Sequence, residues 1–258
     1  MSLSAIKHLT ISLGIYKPAR AIHRLLTRED LSGHRRLLAE FINPGDLAFD
    51  VGANIGARSE LMLDLGARVV AFEPQPDLAR EVRARGNRIT VVQSAVGARP
   101  GSAELFLTTS TGMASLKPNW QLSNLTGKIA VPVTTLDAEI SKHGVPSFCK
   151  IDVEGFEVEV LKGLSTPIRA LSIEYHCDVE GIAKISECLR HLSKLDSYEF
   201  NLVGTEDSDW LLPRWMDQDE FLQAFPKCAA PHHYGDIFAR MRKARLPCQS
   251  TLAGVEEL

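Results

Sequence analysis

Apolar positions near the start of the chain recur three and four residues apart. "PARAIHRLLTRED" and "LSGHRRLLAEFIN" both show this spacing, which predicts helices within residues 1–43. Asn43-Pro44-Gly45-Asp46 breaks that pattern. Beyond it, short apolar runs alternate with amphipathic ones. "LAFDV" reads as a strand and "GARSELMLDLG" as a helix closed by Gly66, followed by the strand "RVVAFE", the helix "QPDLAREVRARG" and the strand "ITVVQ". Residues 97–135 interrupt the rhythm, with "GSAELFLTT" and "KIAVPVTTL" as extended segments of a hairpin-like insertion. The alternation resumes with "SFCKIDV", the helix "FEVEVLKGL", the strand "ALSIEY" and a helix over 179–195. It closes with the strands "YEFNLVG" and "DIFARM", separated by a less regular stretch around Trp210 and Trp215.

Strands and helices joined by short connections predict a mostly parallel sheet with helices on both faces. The chain divides into an N-terminal helical extension or lid, residues 1–43, and one α/β domain over 44–258. At 258 residues, 45% of them hydrophobic, there is enough apolar material for a sizeable core. A net charge of -3 argues against a nucleic-acid partner, which demands a basic excess. Cysteines 149, 177, 188, 228 and 248 show no CxxC spacing, so reduced thiols and a cytoplasmic location are expected. No apolar run approaches the roughly 18 residues of a membrane span.

"AFDVGANIG" is the first segment with chemistry in it. Asp50 ends an apolar run, and Gly52, Asn54 and Gly56 follow at alternate positions. Glycines here allow a tight turn and close backbone approach, and the next helix offers unpaired amides to a ligand. The dinucleotide fingerprint G-x-G-x-x-G is not met, because Asn54 stands at the second glycine and obstructs a pyrophosphate. Asp50 before the turn is equally unsuited to phosphates and suits an ammonium group and a ribose. Glu73, in "AFEPQP" and 21 residues after Gly52, occupies the place where nucleotide-binding sheets carry a carboxylate for ribose hydroxyls. Pro74 and Pro76 fix the turn around Gln75. These residues favour S-adenosylmethionine over a nicotinamide dinucleotide.

A second constellation lies in "CKIDVEGFEVEVLKGL". Lys150, Asp152 and Glu154 alternate with Ile151 and Val153, which is costly in a buried strand unless the charges meet a ligand crevice. Asp152 is expected at the reactive end of the cofactor with Lys150 paired to a carboxylate. Glu154 and Glu157 also suit the start of the following helix. In "LSIEYHC", Glu174 and His176 share one side of a strand, where they could orient and deprotonate an acceptor hydroxyl. Asp152, Glu174 and His176 could instead hold a divalent cation, but their spacing is not diagnostic, and no metal is assigned from the sequence. His232 and His233 read as a solvated loop.

With "FDVGANIG", "FEPQP", "SAVG", "ASL", "VTTLD", "KIDVEGFEVEVLKG" and "IEYH" in this order, the chain resembles the FkbM family of S-adenosylmethionine-dependent methyltransferases over roughly residues 46–177. The resemblance implies a Rossmann-like class I fold: a seven-stranded, mostly parallel sheet whose last strand runs antiparallel near one edge. It assigns Asp50, Gly52, Asn54 and Gly56 to the methionine and ribose side. Glu73, with Pro74 and Gln75, goes to the ribose, Ser94 and Ala95 to the adenine edge, and Asp152 to the neighbourhood of the sulfonium. Gln93 and Arg99 depart from the family, which often has Asn and Asp there. The implied reaction is O-methylation of a sugar or natural-product-like acceptor, a small molecule or glycan, with Glu174 and His176 handling its proton. A non-catalytic nucleotide-binding module and a nicotinamide-dependent oxidoreductase are the competing readings. Residues 1–43 carry seven basic and three acidic side chains. A solvated helical face accounts for that excess most simply, although a phosphorylated acceptor or a membrane surface would also be drawn to it.

Overall fold

The computed structural model describes residues 32–85, 88–109, 113–117, 125–204 and 209–242. The expected helix "PARAIHRLLTRED" lies outside the described residues. Its successor is α1 (Ser32–Ala39). The glycine turn then joins β1 (Leu47–Val51) to α2 (Ala57–Asp64), and β2 (Arg68–Phe72), α3 (Pro76–Ala84) and β3 (Ile89–Val92) complete the first half. β4 (Ala95–Val96), β5 (Gly101–Thr108) and β6 (Leu125–Thr134) form the insertion, and α4 (Leu136–His143) leads back to the main sheet. The second half comprises β7 (Phe148–Ile151), α5 (Glu157–Lys162), β8 (Ala170–His176), α6 (Val179–Leu195), β9 (Tyr198–Gly204), α7 (Gln218–Ala229) and β10 (Tyr234–Met241).

Seven strands make one sheet in the order β3-β2-β1-β7-β8-β10-β9. β10 runs antiparallel to both β8 and β9, while β3, β2, β1, β7 and β8 pair in parallel. This is the class I methyltransferase fold expected above. The insertion is a separate three-stranded sheet, β4-β6-β5, whose long antiparallel β5–β6 hairpin matches the expectation for residues 97–135.

Alternation along the strands sends apolar side chains into two cores. Phe49, Val51, Ile151, Leu171 and Ile173 pack with Leu136, Leu161, Leu189 and Phe221 from α4 to α7. Ala48, Val69, Phe148, Ala170 and Phe238 face the other way, toward Leu37, Leu38 and Phe41 near α1 and Met62 of α2. Phe41 stacks on Phe148 and Phe238 with ring centroids 5.7 and 5.5 Å apart, which ties the chain around α1 to the second core.

Two helices escape the sequence reading. α4 starts directly where the strand-like "VPVTT" ends, and only the Thr135 hydroxyl, accepting from Ala138 N at 3.1 Å, marks the change. α7 carries Pro226, which reads as a helix breaker; its Asp217 cap, accepting from Glu220 N at 3.0 Å, was the available signal. The four described cysteines form no disulfide.

Candidate active site

The sheet face bearing Ala48, Phe148, Ala170 and Phe238 turns polar at its carboxyl end. Strand register places Asp50 beside Lys150, Lys150 beside Ser172, and Glu174 beside Asp236. In an open α/β sheet this end is where a ligand crevice forms, because loops leaving adjacent strands diverge there. A cavity of about 250 Å3 occupies the crevice, lined by Gly52, Asn54, Glu73, Pro74, Gln75, Ser94, Ala95, Met113, Leu116, Asp152, Glu154 and Phe156, among others.

The glycine turn builds one wall. Gly52 and Ala53 donate their N–H groups to Phe72 O at 3.1 and 3.0 Å, so the turn folds across the end of β2. Gly52 adopts φ 80°, and a Cβ there would collide with the backbone carbonyl of Asp152. Glycine therefore lets the loops after β1 and β7 touch. Asn54 also takes a left-handed conformation, φ 50°, tolerated best by Asn, Asp and glycine.

Glu73 is held by this same turn. Its Oε2 accepts from Asn54 N and its Oε1 from Gln75 N, both at 2.8 Å. A carboxylate oxygen has two acceptor positions, so one on each oxygen remains for a pair of donors. Burial pushes the Glu73 carboxyl up to about 7, against the lowering effect of the two amides. A diol bound there would stabilise the ionised form. The side-chain Oδ1 of Asn54 is likewise sealed from solvent without a hydrogen-bond partner, an acceptor suited to a ligand donor.

Asp50 and Gly56 stand apart from the cavity lining. Asp50 is fully buried; its Oδ2 accepts from Ser59 Oγ at 2.5 Å, and its Oδ1 lies 3.8 Å from Lys150 Nζ. Lys150 Nζ also donates to Asp152 Oδ2 at 2.8 Å. Burial alone would pull the Lys150 pKa down, but the flanking Asp152 and Asp50 outweigh it, and the ammonium stays charged. Burial would similarly raise Asp152, yet Lys150 holds it below its ordinary value. Asp50 thus anchors Lys150, which anchors Asp152 against the cavity. Gly56, φ 81°, heads α2 and is crowded by Arg85, whose guanidinium donates to Ile55 O.

The loop after β7 separates the two glutamates that the sequence grouped together. Glu157 Oε1 accepts from Gly155 N at 2.9 Å and Val153 N at 3.3 Å, so it closes the loop at the start of α5. Glu154, at φ 55°, followed by Gly155 at φ 91°, turns instead toward β8. There its carboxylate, the Glu174 carboxylate and the His176 ring offer ligand atoms all within 4.8 Å of one another. Glu174 Oε2 lies 3.6 Å from His176 Nε2. Burial, then the charges of Asp152, Glu154 and Glu157, raise the Glu174 carboxyl well above its ordinary value. Burial lowers His176, keeping the imidazole neutral near pH 7. The structure therefore gathers the three expected catalytic residues, Asp152, Glu174 and His176, and adds Glu154. Gly155, the one residue able to reverse the chain there cheaply, is the sequence signal for that addition.

A model of the methyltransferase FkbM domain matches residues 50–202. The chain belongs to the FkbM methyltransferase family. Among curated proteins, the chain is 28% identical over 211 residues to the hexuronic acid methyltransferase AglP of Haloferax volcanii. The match covers 74% of this chain and 84% of that protein. Solved structures that it resembles include a TehB-like S-adenosylmethionine-dependent methyltransferase from Corynebacterium glutamicum, with 10% identity, TM-score 0.44 and coverage of 87% of this chain and 100% of that one. Aeropyrum pernix fibrillarin, in complex with S-adenosylmethionine, shows 12% identity, TM-score 0.42 and coverage of 77% and 68% respectively. The FkbM domain is an S-adenosylmethionine-dependent methyltransferase, which sets aside the nicotinamide-dependent reading.

Proposed function

We propose that the protein methylates an oxygen of a sugar-like acceptor, either a small molecule or part of a glycan. The observation that carries this reading is the junction of two chemistries. A cavity fitted for a nucleoside meets, at Asp152 and Glu154, a carboxylate–imidazole group on β8. Glu73 and Gln75 would hold the ribose, Ser94 and Ala95 the adenine edge, and Asn54 and Asp152 the amino-acid end. Bound there, S-adenosylmethionine supplies an electrophilic methyl group. The chain's own contribution is alignment, exclusion of water and management of the acceptor proton. An alcohol loses that proton as its oxygen forms the new bond, so a neutral imidazole next to carboxylates has a specific task.

The sugar acceptor is supported by the named activity of the Haloferax volcanii relative on a hexuronic acid. No helix among the described residues is long and apolar enough to cross a membrane. The test uses tritiated S-adenosylmethionine with uronic acids, neutral sugars and nucleosides as acceptors. Transfer to sugars, with S-adenosylhomocysteine released, supports the reading. Tight S-adenosylhomocysteine binding without transfer to any sugar favours a silent binding module instead.

A further inference from the structure

We infer that Glu154, Glu174 and His176 form a binding site for one divalent first-row transition-metal ion at the acceptor end of the crevice. This deepens the acceptor reading above by naming what meets the acceptor oxygen, but the site itself stands on geometry. The three side chains come from two elements, the loop after β7 and the end of β8. They bring one imidazole nitrogen and two carboxylates to within 4.8 Å of one another. Metal–nitrogen and metal–oxygen bonds of about 2.0–2.2 Å put two ligands of a tetrahedral ion roughly 3.4 Å apart. His176 Nε2 and Glu174 Oε2 stand 3.6 Å apart, too far for a hydrogen bond and close to that ligand spacing.

A second observation points the same way. Glu174 Oε2 is sealed from solvent and accepts no hydrogen bond. A buried carboxylate oxygen left in that state is costly. Asp152, Glu154 and Glu157 all add negative charge around Glu174, and the hydrogen bond it shares with Asp152 needs a proton on one of the two carboxyl groups, a proton whose place a cation can take. Lys150 is committed to Asp152 and Asp50, and Lys184, which shares the cleft with His176, pairs with Glu180 at 3.4 Å. A divalent cation would satisfy the oxygen and offset the excess charge in one step. Asp152, which the sequence placed in a possible cation set, is the wrong third ligand because Lys150 holds it at 2.8 Å; Glu154 takes its place.

The imidazole selects the class of ion. Oxygen-only sites suit magnesium and calcium, whereas a histidine ligand favours first-row transition metals. The three ligands leave further coordination positions for an acceptor hydroxyl or carboxylate. Glu154 lines the large cavity, and Glu174 and His176 line the narrower cleft beside α6, so the ion would lie between the two. A hydroxyl bound to such an ion releases its proton to water at a much lower pH than a free alcohol does.

The test is titration of the chelator-treated full chain with Co2+, read by visible absorption, with Ca2+ as competitor. One saturable equivalent is expected, with at least tenfold weaker binding in Glu174→Gln and Glu154→Gln and an altered band in His176→Asn. Thermal unfolding of each variant shows whether it is folded. Should Glu174→Gln fail to fold, Glu154→Gln on its loop still gives the readout. No saturable band, an unchanged band in the folded variants, or equal competition by Ca2+ would overturn the site. Wild-type protein that binds S-adenosylhomocysteine but no Co2+ refutes the ion alone. Co2+ binding without methyl transfer to any sugar supports the ion and counts against the acceptor reading.

Discussion

A Cβ on Gly52 would fall inside the peptide carbonyl of Asp152, 2.9 Å from its carbon and closer still to its oxygen. The two loops that frame the crevice, one after β1 and one after β7, are therefore in backbone contact, and only glycine permits it. Gly52→Ala must force them apart as well as strain a residue at φ 80°. Gly45 offers the matched control, because at φ 89° it meets nothing within 4 Å. Gly45→Ala should cost about 1–2 kcal/mol of stability from left-handed backbone strain and leave the cofactor affinity unchanged. Gly52→Ala should cost more and weaken S-adenosylhomocysteine binding at least tenfold by calorimetry. Equal affinities in the two variants would mean that the loop contact does not shape the site.

Glu73 gives a pH dependence whose sign is fixed. Its carboxyl is raised from an ordinary 4.5 to about 7, so the folded, ligand-free protein holds a proton there that the unfolded chain has already lost. Stability from this group is full below pH 4.5 and falls as pH rises through 7, by about 3 kcal/mol in total. Denaturant titrations of wild type and Glu73→Gln should converge on this trend, with the loss from pH 5 to 8 smaller in the variant. S-adenosylhomocysteine affinity should move oppositely, strengthening as pH rises toward 7, because ribose hydroxyls donate to the ionised carboxylate. A wild-type affinity that is flat between pH 5.5 and 7.5 would contradict the assignment.

Which parts of this site were legible in the sequence follows from how local they are. Gly52 and Glu73 belong to turns that directly end β1 and β2, and their spacing carries the geometry. The strand alternation exposed the sheet for the same reason. Asp50 reads in the sequence as an acid facing the cofactor and not as a buried support, since its partners Ser59 and Lys150 come from α2 and β7. Glu154 was hidden most thoroughly. Its place beside His176 depends on two consecutive left-handed residues and on β8 lying next to β7, neither of which periodicity reports. α7 was missed because a proline inside a helix outweighs its cap in any reading by composition.

Lys150 lies between two carboxylates in a region with almost no solvent, which makes its removal expensive. Lys150→Met leaves Asp50 and Asp152 buried without their cation, a change expected to cost about 3–5 kcal/mol. For a domain of this size that corresponds to a melting temperature lower by roughly 6–20 °C. Adding Asp152→Asn to Lys150→Met removes one of the two stranded charges and should recover at least about 1 kcal/mol, a coupling readable from a double-mutant cycle. Strict additivity of the two substitutions would show that the pair does not interact in solution.

The division of labour between Glu73 and His176 can be separated kinetically. Glu73 lines the cavity proposed for the nucleoside, whereas His176 lies at the end of β8 with Glu174 and lines the adjoining cleft. Glu73→Ala should raise the KM for S-adenosylmethionine and weaken S-adenosylhomocysteine binding to a similar degree. His176→Ala should leave S-adenosylhomocysteine affinity within about twofold and lower kcat by about 10²–10⁴, the range for losing a positioned proton-handling group. This split follows whether the imidazole takes the proton itself or holds an ion that acidifies the acceptor. A His176→Ala enzyme with wild-type kcat, or one that loses cofactor affinity together with turnover, would place the acceptor chemistry elsewhere in the crevice.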